Sequence, residues 1–351
     1  MANFDDLKLA VESLSGGKNT VLFDDLGMPS IMVRIPKFKI SDVIEGATQD
    51  THPAFIVDGI EKDEILISKY QNIVVNDRAY SLPYKDPVVS MTFDKAIEYC
   101  ENKGQGWHLM TNAEWAAVAL WCKKNDTMPR GNNNYGSDID APHEKGVETY
   151  GDGDPHKTYR VATGSGPASW AHDGTNEGIF DLNGNVFEWV GGMRLVDGEI
   201  QIIPYNNAAM QISQSATSTL WKAILQDGTL AEPGETGTLK YDAETDTPSG
   251  IRINTEVVNE TSEDASVDKT FGTITAAEGV TIPTLLQTLA LAPIDSQHGA
   301  DKLYVRNAGE RLPIRGGYWY FTSNAGVFCL YLILSRSYSS NDRGFRSAFL
   351  L

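Results

Sequence analysis

The sequence has few cysteines and no pattern that pairs them. Cys100, Cys122 and Cys329 are the only three in 351 residues. They are odd in number, far apart and without a CxxC pair, so they predict neither a disulfide framework nor a cysteine metal motif. Because all three lie in apolar surroundings, we expect inert packing thiols. The usage is typical of a chain made in the reducing cytoplasm.

Basic residues and long hydrophobic runs are also scarce. There are 29 Lys and Arg against 47 Asp and Glu, a formal charge of −18. Nucleic-acid binding needs a basic surface, so we exclude it. The longest apolar runs, 115–122 and 327–334, are far shorter than the roughly 20 residues that span a bilayer. We therefore expect no membrane insertion, and the acidic amino terminus predicts no signal peptide.

Local patterns predict both helices and strands. Thr92 is a cap for a helix at 94–102, and Thr111 with Glu114 forms a capping box that opens a second helix. Trp115, with Val118, Ala119 and Cys122, gives that helix an apolar stripe. The other expected elements are a helix at 4–14, closed by two glycines, and strands at 31–40, 65–70, 73–75 and 250–258. The predicted class is α+β.

Two regions differ from the rest in composition. Residues 125–178 are rich in turn formers, and a loop region this long is typically functional. Residues 206–300 hold 13 acidic and 4 basic side chains and only three aromatic ones, which predicts a polar, solvated insertion with some β structure.

The segment 318–345 contains eight aromatic residues among turn glycines and small polar residues. Such a mixture is typical of binding surfaces, although a packed core is the alternative. Leu330 and Leu332 alternate with Tyr331 and Ile333. This alternation predicts a strand with one buried and one displayed face.

Metal ligands are suggested at one place only. Asp181, Asn183, Asn185 and Glu188 surround Gly184 with hard oxygen ligands of the kind that Ca²⁺ prefers. An Asn-Gly turn whose side chains bond their own backbone explains the same residues, and both readings stay open at this point. The six histidines have no ligand spacing, so we expect scattered surface or loop positions; they are His52, His108, His143, His156, His172 and His298.

Five segments together resemble one known family. They are 87–100 (PVVSMTFDKAIEYC), 107–115 (WHLMTNAEW), 178–189 (GIFDLNGNVFEW), 315–319 (RGGYW) and 344–346 (GFR). In order and spacing they are similar to the C-type lectin-type fold of formylglycine-generating enzymes (sulfatase-modifying factors). Within it the chain looks most like the variable proteins of diversity-generating retroelements, a class that includes a bacteriophage tropism determinant. In that class adenine-directed mutagenesis rewrites a C-terminal segment, mostly at AAC-type codons.

The resemblance implies which residues bind ligand. Trp319 cannot arise from AAC by changing its adenines, so it belongs to the constant positions. The implied variable, ligand-binding positions are Tyr318, Tyr320, Phe321, Tyr331, Ile333, Leu334, Tyr338, Ser340, Asn341 and Asp342. The implied organisation is an N-terminal segment 1–29 and a C-type lectin-type domain 30–351, interrupted by the insertion 206–300 and carrying the variable segment 315–346.

The resemblance also bears on chemistry. Phe321 and Gly326 stand where the family's oxidases carry catalytic cysteines, so we expect no enzyme. Asp181, Gly184, Val186 and Glu188 align with a calcium site of the family, which favours structural Ca²⁺, with no organic cofactor. The expected function is attachment of a virion tail or cell surface to a cell-surface protein or glycan. The alternatives are a carbohydrate-binding or structural virion protein without diversification, or a metal-dependent enzyme of this fold.

Overall fold

The computed structural model describes residues 4–154, 157–245 and 250–351, so His156 lies outside the described residues. The described residues form five α-helices. They are α1 (Phe4–Leu14), α2 (Ile40–Val43), α3 (Phe93–Glu101), α4 (Asn112–Lys124) and α5 (Thr284–Thr288).

Short strands make up most of the regular structure. In chain order they are β1 (Asn19–Phe23), β2 (Pro29–Pro36), β3 (Ile56–Val57), β4 (Ile60–Glu61), β5 (Glu64–Ser68), β6 (Ile73–Val75), β7 (Arg78–Tyr80), β8 (Trp107–Leu109), β9 (Glu148–Gly151), β10 (Thr158–Val161), β11 (Phe187–Trp189), β12 (Met193–Val196), β13 (Glu199–Ile202), β14 (Lys222–Ile224), β15 (Leu230–Ala231), β16 (Lys240–Ala243), β17 (Ile251–Asn254), β18 (Val267–Thr270), β19 (Thr275–Ala276), β20 (Lys302–Val305), β21 (Glu310–Gly316), β22 (Gly326–Leu334), β23 (Arg343–Phe345) and β24 (Ser347–Phe349).

Two sheets contain 18 of these strands, and the other six form the two-stranded sheets β3-β4, β6-β7 and β9-β10. The smaller sheet has the order β1-β2-β5-β24-β8, so the last strand of the chain lies between strands from its first third. In the described part of the chain the larger sheet has 13 strands. Its main path runs β18-β20-β22-β21-β12-β13-β16-β17-β19, and β11 joins it by pairing with β21 and β23. The α+β class is confirmed.

Helix α4 lies in the core between these sheets. Its capping box is present as predicted: the Glu114 backbone N–H donates to Thr111 Oγ1 at 3.1 Å, and the Thr111 N–H donates to the Glu114 carboxylate at 2.9 Å. The predicted stripe is buried, and burial extends around nearly the whole helix. Trp115 Nε1 donates to the Val327 carbonyl at 2.7 Å, which fixes α4 against β22.

The other local predictions hold with small shifts. Helix α1 covers 4–14, and Gly16 and Gly17 follow it with φ of 60° and 84°. The expected strand at 31–40 is β2, which begins at Pro29 and ends at Pro36, and the strand expected at 250–258 is limited to Ile251–Asn254. The predicted helix after Thr92 is α3, and the Thr92 hydroxyl caps it by accepting from the Lys95 N–H.

The expectation of a solvated segment at 206–300 is wrong for its apolar residues. Strands β14 to β19 extend the larger sheet, and α5 packs on α4. Trp221, Tyr241 and Phe271, the three aromatic residues of this stretch, are all buried. Average composition hid this arrangement, because an average counts the acidic side chains but does not show which apolar residues between them are buried.

Candidate functional site

The C-terminal aromatic residues lie on a turn, a strand and a loop that meet beside β11. Strand β21 ends at Gly316, and Gly316 and Gly317 have φ of 89° and 85°. A Cβ on Gly317 would lie 2.5 Å from the Cβ of Ala325, so this turn requires glycine. Residues 318–321 follow this turn, and the chain then returns as β22.

Strand β22 displays one of its two faces. It lies between β20, its parallel neighbour, and β21, its antiparallel neighbour. Leu330 and Leu332 are fully buried, whereas Tyr331 and Ile333 are half-buried on the opposite face. The predicted alternation is therefore confirmed.

Phe187 packs against several of these aromatic residues. This ring is fully buried on β11. Its centroid is 5.2 Å from that of Tyr318, 5.1 Å from Phe321 and 5.2 Å from Tyr331. Aromatic pairs at these separations attract one another beyond their area burial. The three rings are therefore held in place by a residue outside the variable segment.

The ten positions implied by the resemblance are unequally exposed. Tyr320 and Tyr338 are 46% and 41% exposed, and Asn341 is also exposed. The half-buried positions are Phe321, Tyr331, Ile333 and Ser340. Tyr318, Leu334 and Asp342 are buried and are therefore not displayed; Tyr318 is 9% exposed. Tyr318 packs on Phe187. Leu334 is the last residue of β22 and lies on the same buried face as Leu330 and Leu332. Asp342 forms an ion pair with the buried Arg343.

A buried guanidinium lies under this surface. Arg343 is over the rings of Phe187, Tyr318 and Tyr338, at 5.3, 5.8 and 5.4 Å from their centroids, and it forms an ion pair with Asp342. Burial lowers the pKa of Arg343 and raises that of the Tyr318 hydroxyl. A cation against several ring faces adds attraction to the cluster.

Residues from the loop-rich region 125–178 extend the same surface. Tyr135 stacks on Tyr320 with centroids 5.7 Å apart, and Tyr159 stacks on Trp319 at 5.3 Å. The sequence predicts that this region is functional but singles out no residue in it. Loop composition was the available signal, and it could not show which tyrosines the fold would bring to the C-terminal segment.

The oxygen atoms of the predicted calcium site do converge on one point. The carbonyls of Asp181, Gly184 and Val186 and one carboxylate oxygen of Glu188 lie 3.2, 3.4, 3.0 and 3.1 Å from Nε2 of Gln71. For Asp181 the converging atom is the backbone carbonyl. Its carboxylate instead accepts from the Gly164 N–H at 2.9 Å, and burial raises its pKa to about 6.

A guanidinium also neutralises the charge at this point. Arg346 donates to both oxygens of Glu188 at 2.6 Å, and both side chains are fully buried. Calcium binds oxygen at about 2.3–2.6 Å and needs the centre of such a cage. Because the Gln71 amide lies at that centre and Arg346 already balances the carboxylate, the residues as arranged do not fit a calcium ion.

Groups suited to other chemistry are inaccessible. All three cysteines are buried, and burial raises the pKa of Cys329 well above its ordinary value. The expectation of surface or loop histidines is confirmed for His143, which is exposed, and for His52, His172 and His298, which lie in loops although their side chains are buried. It is wrong for His108, which is buried on β8. Within the described residues no group of three or more His, Cys, Asp or Glu side chains is placed to hold a metal ion.

The sequence match defines the class of protein. Residues 11–196, more than half of the chain, match the sulfatase-modifying factor enzyme 1-like domain. The chain belongs to this family, and its α+β, C-type lectin-type fold is the one expected from the resemblance. A search of curated protein sequences finds no significant match. No described helix is long and apolar enough to cross a membrane.

Three solved structures are similar at low identity. Treponema denticola variable protein 1 has 12% identity and a TM-score of 0.37, covering 94% of this chain and 98% of its own. PvdO from Pseudomonas aeruginosa has 14% identity and a TM-score of 0.36, covering 95% and 98%. The Major Tropism Determinant M1 variant has 12% identity and a TM-score of 0.33, covering 94% and 71%.

Proposed function

We propose that this chain is a ligand-binding protein whose C-terminal face, within 315–346, is diversified by a retroelement. The face attaches a virion tail or a cell surface to a protein or glycan on another cell. One observation supports this proposal: the rings of Tyr318, Phe321 and Tyr331 pack on Phe187, a buried ring outside the segment, and seven of the ten implied positions are exposed or half-buried.

The arrangement suits a surface that must change without unfolding. Trp319, Leu330 and Leu332 are buried constant positions on the same turn and strand that carry the displayed residues. Binding residues on a fixed backbone can be replaced while the core contacts stay. Individual contacts are expected to be weak, and several copies on one particle would supply avidity.

Sequencing the 3′ end of the gene across a population tests the proposal. We expect substitutions to concentrate at the ten positions, with a reverse transcriptase and a near-copy of the segment nearby in the genome. Residues 90–120, which contain α3 and most of α4, are the internal control. Equal variability in the two segments would refute diversification and leave a binding protein of fixed specificity.

An enzymatic role has a separate test. Formylglycine chemistry would need an accessible thiolate, because the thiolate is the nucleophile. Phe321 and Gly326 occupy the positions where the resemblance places the catalytic cysteines, and Cys329 is buried. We therefore expect no aldehyde on a sulfatase-type peptide incubated with the protein and oxygen. Formation of that aldehyde would overturn the non-enzymatic assignment.

A further inference from the structure

Four aromatic residues outside the ten diversified positions form a continuous row beside them. The fixed aromatic row consists of Tyr135, Tyr150, Tyr159 and Trp319. Tyr159 is 5.8 Å from Tyr150 and 6.0 Å from Tyr135, centroid to centroid, and stacks on Trp319 with an interplanar angle of 11°. Tyr135 stacks on Tyr320 at 12°, which connects the row to the diversified positions.

Backbone and side-chain hydrogen bonds fix the row to the variable segment. The Tyr135 N–H donates to the Trp319 carbonyl at 2.6 Å, and Arg160 Nη1 donates to the Asn341 carbonyl at 3.1 Å. Tyr150 nevertheless remains 41% exposed. Ordered, exposed aromatic rings are typical of interaction surfaces, because they offer large contact area at little entropy loss.

Carboxylates accompany these rings. The Tyr159 hydroxyl donates to Asp152 at 2.8 Å, and hydrogen bonds from the Asp154 backbone N–H and this hydroxyl lower the pKa of the Asp152 carboxyl. Asp86 accepts from the Arg160 guanidinium at 2.9 and 2.8 Å, and that guanidinium lies 4.2 Å from the Tyr150 ring centroid. The surface thus already holds one guanidinium between a ring and a carboxylate.

We propose that the fixed aromatic row is a constant part of the ligand contact and that its partner is a protein surface presenting arginine side chains. This inference rests on the proposed function. Ring faces beside carboxylates match the planar, charged guanidinium group, which stacks and forms two hydrogen bonds at once. The net charge of −18 favours a basic partner further. A neutral glycan would use the rings but not the carboxylates.

The test uses three probes on the full chain: acetylated hexaarginine amide, the matching hexalysine peptide and maltohexaose, titrated by calorimetry. Tyr150→Ala and Tyr159→Ala remove rings, and Tyr150→Phe keeps one. Tyr205→Ala removes a tyrosine that is 52% exposed in another loop. Asp152→Asn removes one charge of the row, and Asp63→Asn removes one from a side chain that is 98% exposed elsewhere.

We expect hexaarginine to bind more tightly than hexalysine, and each ring deletion to weaken hexaarginine binding by about threefold, the loss typical of an exposed cation–π contact. Tyr150→Phe, Tyr205→Ala and Asp63→Asn should bind as the unmodified protein does, and Asp152→Asn should bind more weakly. Thermal melts confirm that each variant is folded.

Two results would overturn the inference. One is unchanged hexaarginine affinity in both Tyr150→Ala and Tyr159→Ala, as in Tyr205→Ala, which would show attraction by net charge alone. The other is stronger binding of maltohexaose than of hexaarginine, with loss in Tyr159→Ala, which would identify a glycan surface. Both are distinguishable from failure of the proposed function, because population sequencing tests diversification without reference to the row.

Discussion

The buried cluster of Gln71, Glu188 and Arg346 yields the sharpest quantitative prediction. Arg346 donates to both oxygens of Glu188 and to the carbonyls of Ser68, Phe180 and Asp181, at 2.6–3.4 Å. Arg346→Met keeps much of the volume but leaves the Glu188 carboxylate buried without its cation. Breaking a buried ion pair from one side costs about 3–5 kcal/mol, because the remaining charge is desolvated and unpaired.

The expected shift in melting temperature follows from chain length. At about 2.1 cal/mol/K per residue, a chain of 351 residues unfolds with an entropy of about 0.7 kcal/mol/K. A loss of about 4 kcal/mol therefore lowers Tm by about 5 °C. The matched control is Lys95→Met, which breaks the half-exposed pair with Glu98 and should cost less than about 1 kcal/mol.

The same experiment addresses calcium. Because the Gln71 amide lies where the four oxygens converge, we expect the Tm of the unmodified protein to stay within about 1 °C when a chelator or about 5 mM CaCl₂ is added; a ligand bound only by the native state would raise it. Calorimetric or fluorescence-monitored melting gives both readouts. The reasoning would be refuted if Arg346→Met lowered Tm by no more than Lys95→Met does. It would also be refuted if calcium clearly raised the Tm of the unmodified protein.

Three further predictions concern the face and the core. Tyr318→Ala should lower the free energy of unfolding in urea by about 3 kcal/mol, because Tyr318 packs on Phe187. Tyr338→Ala should change it by less than about 0.5 kcal/mol. Equal losses in the two variants would contradict the difference in burial between these two tyrosines. Burial raises the pKa of the Asp301 carboxyl to about 8, whereas an Asp in the unfolded chain has a pKa of about 3.9. Between these two pH values the native state binds one proton that the unfolded state lacks, so the free energy of unfolding falls as pH rises from about 4 to 8. Asp301→Asn should make Tm depend less on pH over that range. An unchanged slope of Tm against pH would show that other groups cause the dependence. A thiol reagent should modify none of the three cysteines in the native protein and all of them after unfolding, and rapid native labelling would reopen the enzymatic alternative.

Sequence reasoning succeeded where the determining physics is local. The Thr111–Glu114 capping box involves residues three apart, and alternation along β22 involves immediate neighbours. Gln71 could not be found in this way: it lies 110 residues before Asp181, and only the sheet topology brings its amide to the oxygen cluster. The core of the 206–300 stretch was missed because its apolar residues are dispersed among acidic ones. The prediction used the average composition of the stretch, which does not show which positions face the core.

The two faces of β22 differ in burial. The backbone at the start of β22 is fixed by Trp115 Nε1, which donates to the Val327 carbonyl, and by the Asp301 carboxyl group, which accepts from the Phe328 N–H at 2.8 Å. None of these contacts involves Tyr331 or Ile333 on the outer side. Substitutions at those two positions therefore leave the inner side intact, whereas substitutions at the buried Tyr318, Leu334 and Asp342 alter packing. Under the proposed function the ten positions are therefore not equivalent: folding would restrict which residues the buried three accept, and ligand contact would select among the rest.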